Sequence, residues 1–252
     1  MSSTETRSLL KLQGVSRTYV QGDQEVHALR DVNFEAERGE FIAIAGPSGS
    51  GKTTLLNLCA GLDRPTEGRV WLGGRDLAEL SRHELARLRL EEVGFIFQAF
   101  NLIPVLSAEE NAEFILLLRG VAERDRREKI RGLLKEVGLE GLERRRPGQL
   151  SGGQQQRVAV ARAIAAEPRI VLADEPTANL DTETALSLLN LMERLNRDHG
   201  ATFLFSTHDP RVMQRAHRIV RLVDGRIESD ERAPERDPRN GSAKGDGHAP
   251  RA

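Results

Sequence analysis

The run Gly46-Pro47-Ser48-Gly49-Ser50-Gly51-Lys52-Thr53 limits this chain more than any other stretch of it. It fits the pattern G-x-x-x-x-G-K-[ST], and its surroundings fit the same reading. Residues 41–45 before it are apolar, as in a buried strand. After it, Thr54, Leu55, Leu56, Leu58 and Ala60 open a helix. Strand, Gly-rich turn and helix start together bring unpaired N–H groups and a positive dipole end to one point. The glycines let those N–H groups approach phosphate oxygens closely. In such a loop Lys52 is expected to reach the β- and γ-phosphates of a nucleotide, and the Thr53 hydroxyl to hold Mg²⁺. The expected fold class is α/β, with a phosphate-loop (RecA-like) core.

Three further polar clusters follow apolar runs. Gln98 follows residues 93–97, Asp174-Glu175 follow residues 170–173, and His208 follows residues 202–207. In open parallel sheets, ligands bind outside the carboxyl ends of the strands. Four clusters at that edge point to one site. Asp174 is the expected Mg²⁺ carboxylate. Glu175, one residue on, is placed to deprotonate an attacking water. Gln98 is expected to touch Mg²⁺ or water and to sense the γ-phosphate, and His208 to hydrogen-bond that phosphate.

A second Gly-rich segment, Leu150-Ser151-Gly152-Gly153-Gln154, has its own physics. Ser151 and Gln154 form a capping box ahead of a helix that continues to about residue 166, before Pro168. This is another helix N-terminus able to meet an anion. The first loop already encloses one side of a phosphate chain, so a second such site in cis is superfluous. The expectation is that residues 150–154 serve the nucleotide of a neighbouring subunit. That makes a twofold head-to-tail dimer with two nucleotides at its interface.

The 252 residues suit one large domain or two modest ones. A formal net charge of −1 and 4% aromatics give no case for nucleic acid as a partner. The single cysteine, Cys59, excludes an intrachain disulfide, fits a reducing compartment and reads as a small core residue. No apolar run reaches the roughly 18 residues of a membrane helix, and residues 1–7 lack the apolar stretch of a signal peptide. A soluble or peripheral cytoplasmic protein is expected, with residues 1–7 as a flexible lead.

Residues 9–20, 27–37 and 69–72 read as half-exposed strands of an antiparallel sheet flanking the core. Residues from about 99 to 152 read as a helical subdomain, with Ile130, Leu133, Leu134 and Val137 on one helix face. The charges at 123–129 read as a solvated helix surface. Ala185, Leu188, Leu189, Met192 and Leu195 form another helix stripe, closed by Gly200. Asp209-Pro210 starts a short helix, and Asp224-Gly225 marks a hairpin. Beyond residue 228 large apolar residues vanish, so residues 229–252 are expected to be a disordered polar tail.

Taken in order, these residues resemble the ATP-binding cassettes of ABC transporters, over residues 8–228. Residues 46–53 look like Walker A, Gln98 the Q-loop, residues 150–154 the signature motif and residues 170–174 Walker B. Glu175 looks like the catalytic base, residues 178–181 the D-loop and His208 the switch histidine. Tyr19, near Gly22, resembles the aromatic that stacks on adenine. The resemblance implies that Tyr19, Ser48, Gly49, Gly51, Lys52, Thr53 and Thr54 of one subunit hold ATP, closed by Ser151 and Gly153 of another. Thr53, Asp174 and Gln98 would carry Mg²⁺, and Asp181 would communicate across the interface.

Residues 94–104, with Leu106-Ser107-Ala108-Glu109-Glu110-Asn111, look like the LolD and MacB branch. That branch implies a homodimeric ATPase at the cytoplasmic face of the inner membrane, for export or lipoprotein release. The 252 residues contain no fused membrane domain of the MacB kind, so separate integral permease subunits are expected. They would dock near Phe100, Leu102, Ile103 and Val105. The alternatives are an FtsE-like mechanical signaller at the membrane and a soluble non-transport ABC ATPase. The second usually has two cassettes in one chain or long coiled coils, and neither is visible here.

Overall fold

The computed structural model describes residues 8–232; the expected lead at 1–7 and residues 233–252 of the expected tail lie outside them. The chain opens with β1 (Ser8–Gln21), β2 (Gln24–Glu37), β3 (Phe41–Ala45), α1 (Lys52–Cys59), β4 (Glu67–Leu72) and β5 (Arg75–Asp76). It continues through α2 (Arg82–Glu92), β6 (Val93–Ile96), α3 (Ala108–Leu118), α4 (Glu123–Glu136) and α5 (Gly152–Ile164). It ends with β7 (Ile170–Ala173), α6 (Thr182–His199), β8 (Thr202–Thr207), α7 (Pro210–Met213), β9 (Arg218–Val223) and β10 (Arg226–Arg232).

The apolar runs pair in parallel. They form a six-stranded sheet of order β10-β9-β3-β8-β7-β6, in which only β10 runs antiparallel to its neighbour. Such strands must be apolar on both faces. Here alternate residues feed two cores. Phe41, Ala43, Val171, Phe203 and Phe205 pack toward α3, α4, α5 and α6. Ile42, Ile44, Leu172, Leu204 and Leu222 pack toward α1 and the second sheet. Phe41 lies 4.9 Å from Phe205 and 5.7 Å from Phe203, ring centre to ring centre. Burying each ring contributes about 2–3 kcal/mol. The expected antiparallel sheet is present, with order β2-β1-β4-β5.

Register sets the site. Ala45 lies opposite Thr207, Ala173 opposite Phe205, and Ile96 opposite Ala173. The segments after β3, β6, β7 and β8 therefore leave the sheet along one edge.

Three features differ from the sequence reading. First, the helical stretch does not begin near residue 99: residues 97–107 form a loop, and α3 starts only at Ala108. Pro104 cannot donate to a helix ladder. The buried Asn111 side chain pairs with this loop instead. It accepts from Ile103 N at 2.8 Å and donates to the carbonyls of Ile103, Leu106 and Ser107 at 3.0–3.1 Å. Second, α2 lacks a strong apolar stripe, burying only Leu85 and Leu88; a Ser81–Glu84 capping box starts it. Third, β10 runs to Arg232, past residue 228 where composition places the end of the domain. Pairing with β9 and the Arg218–Asp230 ion pair at 2.7 Å hold it, so composition misjudged these charged residues.

Candidate phosphate-binding and catalytic site

The phosphate loop is shaped by tertiary contacts as much as by its own sequence. A Cβ at Gly46 would sit 2.1 Å from the Leu222 carbonyl oxygen. Gly51 has φ +102°, and a Cβ there would sit 2.3 Å from the Ala28 carbonyl oxygen. Gly225 donates its N–H to the Ser50 carbonyl at 3.1 Å. The loop is thus wedged between β2 and the β9–β10 hairpin. Helices α2, α3, α5, α6 and α7 each have a side-chain N-cap, from Ser81, Ser107, Ser151, Asp181 and Asp209. Helix α1 starts from Gly51 with no side-chain cap, so its first N–H groups face the loop. Oriented donors of this kind suit phosphate.

Lys52, 5% exposed, donates to the carbonyls of Gly46 and Pro47 at 2.9 Å each. Its Nζ also lies 3.7 Å from Glu175 Oε1. That same oxygen is 3.2 Å from His208 Nδ1. The three residues come from α1, the β7 exit and the β8 exit. The Thr53 hydroxyl donates to Asp174 Oδ2 at 2.8 Å. Five of the expected residues therefore converge. Glu175 has φ +44°, a conformation that costs an L residue of order 1 kcal/mol or more.

Ser206, at the end of β8, was not singled out in the sequence. Its hydroxyl donates to Asp174 Oδ1 at 2.6 Å and accepts from Glu175 N at 2.8 Å. It fixes the Asp174 carboxylate and the Glu175 backbone together. The available signal was a buried hydroxyl closing a strand of apolar residues.

Gln98 lies on the exposed loop after β6, and its carbonyl accepts from the Asn179 side chain at 2.9 Å. Asp181 caps α6, accepting from Thr184 N and Oγ1; these bonds hold its carboxyl below the ordinary aspartate range. Tyr19 stands on β1 with its hydroxyl on Asp63 at 2.8 Å and the Arg17 guanidinium 4.5 Å from its ring centre. Burial pushes the Cys59 thiol up to about 12, as suits an inert core residue.

The expected capping box is present: Ser151 Oγ accepts from Gln154 N at 3.3 Å, and Gln154 Oε1 accepts from Ser151 N at 2.9 Å. A hydroxyl that accepts one bond still has its proton to donate. A Cβ at Gly152 would lie 3.8 Å from both Phe100 and Leu180, and one at Gly153 would meet Thr184 Cγ2 at 2.5 Å. Among the described residues, no hydrogen bond joins residues 151–154 to residues 46–54 of the same chain.

Mg²⁺ takes hard oxygen ligands and keeps waters and substrate oxygens besides. A Thr53 hydroxyl already bonded to the Asp174 carboxylate offers such a donor pair. Of the apolar loop residues, Val105 is 70% exposed, while Leu102 packs partly buried against the helical core.

The family model described as ABC transporter matches residues 29–178. The chain is 50% identical over 222 residues to a lipoprotein-releasing system ATP-binding protein LolD of Anaeromyxobacter dehalogenans, covering 88% of this chain and 93% of that one. It is 50% identical over 225 residues to a macrolide export ATP-binding/permease protein MacB of Hyphomonas neptunium. That match covers 89% of this chain but only 35% of the relative, so the chain spans about a third of the MacB length. A solved dimer of the cassette MJ0796, from Methanocaldococcus jannaschii, in a post-hydrolysis state with ADP and Pi, matches with TM-score 0.83 and 43% identity. The alignment covers 88% of this chain and 98% of that structure. By its wedged phosphate loop, its converging carboxylates and these likenesses, the chain belongs to the ABC transporter family and carries that family's ATP-binding cassette.

Proposed function

We propose that this chain hydrolyses ATP as one half of a homodimer and passes the resulting motion to separate membrane subunits. The observation that carries the reading is Glu175 Oε1, shared between Lys52 at 3.7 Å and His208 at 3.2 Å beside the Thr53–Asp174 pair. Uncapped α1 and the residue 46–53 loop hold the triphosphate, with Lys52 on the β- and γ-phosphates. Tyr19 packs on the adenine. Glu175 accepts a proton from water as its oxygen attacks the γ-phosphorus; the bond to the β–γ bridging oxygen breaks and ADP leaves. His208 hydrogen-bonds the γ-phosphate, and Gln98 orients the water. Mg²⁺, when bound on Thr53, Asp174 and Gln98, neutralises phosphate charge.

Ser151 and Gly153 of a second copy complete each site. The support is that residues 151–154 form no hydrogen bond with their own phosphate loop and end in a helix start with a hydroxyl proton to give. Among the described residues no helix is long and apolar enough to cross a membrane. A peripheral position at the cytoplasmic face follows from the proposed permease partners. They dock near Phe100, Leu102, Ile103 and Val105, and the likenesses to LolD and MacB favour lipoprotein release or export as the task.

The test is Glu175→Gln. Phosphate release should fall by about 10²–10⁴-fold, the range for loss of a general base. ATP binding should persist, and size-exclusion chromatography should show a dimer that forms only with ATP. Unchanged phosphate release would remove Glu175 from the reaction.

A further inference from the structure

Arg162 stands in the last turn of α5, and its guanidinium reaches across to the loop after β6. Nη1 donates to the Asn101 carbonyl at 2.6 Å and Nη2 to the Phe100 carbonyl at 3.0 Å. Phe100 and Asn101 have φ +61° and +49°, a pair of consecutive L residues in the left-handed region. Such pairs persist only where the surroundings over-determine them. Arg162 makes no ion pair among the described residues. Burial away from any carboxylate lowers the pKa of this guanidinium. A helix C-terminus attracts a cation, but that does not select two carbonyls some 60 residues earlier in the chain.

The same loop is held at one other point. Asn179 donates to the Gln98 carbonyl at 2.9 Å. The loop that carries Gln98 is thus tied to the helix that begins at Ser151 and to the segment that leads into Asp181.

We propose that Arg162 is a positioning residue: its planar fork locks Phe100 and Asn101 in their left-handed conformation and so fixes Gln98, two residues earlier, relative to Asp174 from the far end of the signature helix. A fork matched to two carbonyls does what a single ammonium cannot. This rests on the ATPase reading above, but the clamp itself has a readout that does not.

The experiment compares wild type with Arg162→Met, Arg162→Lys and Arg162→Met/Asn101→Gly, all checked for folding by circular dichroism. Amide hydrogen exchange is followed for peptides covering residues 98–106 and 152–164. In Arg162→Met the loop peptide should exchange about tenfold faster while the helix peptide is unchanged. The kcat for ATP should fall by about tenfold or more, with KM within about twofold, as for loss of an outer-shell support. Arg162→Lys should lie between. Glycine adopts positive φ without strain, so Asn101→Gly should restore part of the kcat lost in Arg162→Met. That rescue has no place if Arg162 merely packs. Unchanged exchange at 98–106, or faster exchange spread equally over 152–164, overturns the clamp. An inactive wild type with loop-confined exchange in Arg162→Met would instead sink the ATPase reading and leave the clamp standing.

Discussion

Ser206 shows how much one hydroxyl can organise. It bridges Asp174 Oδ1 and Glu175 N, so it sets both the Asp174 carboxylate and the strained Glu175 backbone. Ser206→Ala keeps the volume and deletes both bonds. Activity should fall about tenfold, with a higher Mg²⁺ concentration for half-maximal rate, as when a hydrogen-bond partner of a metal-binding carboxylate is lost. Mg²⁺ titrations of phosphate release check this; a lower rate with an unmoved Mg²⁺ requirement would mean that Ser206 serves Glu175 alone. Asp174, Glu175 and His208 were legible because they follow apolar runs, and Lys52 because it closes the Gly-rich loop. Ser206, Asn179 and Arg162 were not. Their contacts are to backbone atoms or to residues 32, 81 and about 60 positions away, which no local pattern encodes.

At the level of elements, the loop before α3 is the instructive case. Its polar backbone is satisfied by one side chain, Asn111, fully buried and bonded four times to residues 103–107. Asn111→Ala leaves an N–H and several carbonyls without those partners, at about 1–3 kcal/mol for each group left buried and unpaired. Urea denaturation should show a loss of at least about 2 kcal/mol. A loss below about 0.5 kcal/mol would mean that water replaces the amide freely. Helical periodicity is blind to such a loop, because its residues are as apolar as those of the helices around it. By contrast, β3, β7 and β8 were legible within a residue or so, since strands buried on both faces leave continuous apolar runs. The capping boxes at Ser81 and Ser107 were equally local, yet only the one at Ser151 was read, because glycines drew attention to it.

For the whole molecule, the decisive question is whether a site is built from one chain or two. Lys52→Ala should disable the phosphate loop and Ser151→Ala the segment offered to a partner. If sites are shared, a mixed dimer of the two variants has one site with both defects and one intact. Random pairing leaves about a quarter of all sites intact, so mixing two weak proteins should raise phosphate release above either alone. No gain on mixing, with mixed dimers demonstrated by tagged pull-down, would place Ser151 in cis. The wedge around residues 46–53 carries a different consequence. Its walls are Ala28 from early in the chain and Leu222 and Gly225 from near the end of the described residues. A polypeptide emerging from the ribosome displays its Gly-rich motif long before the last wall is translated. Grip on a nucleotide is therefore a late event in biogenesis, a sign that the C-terminal hairpin has closed on a finished core.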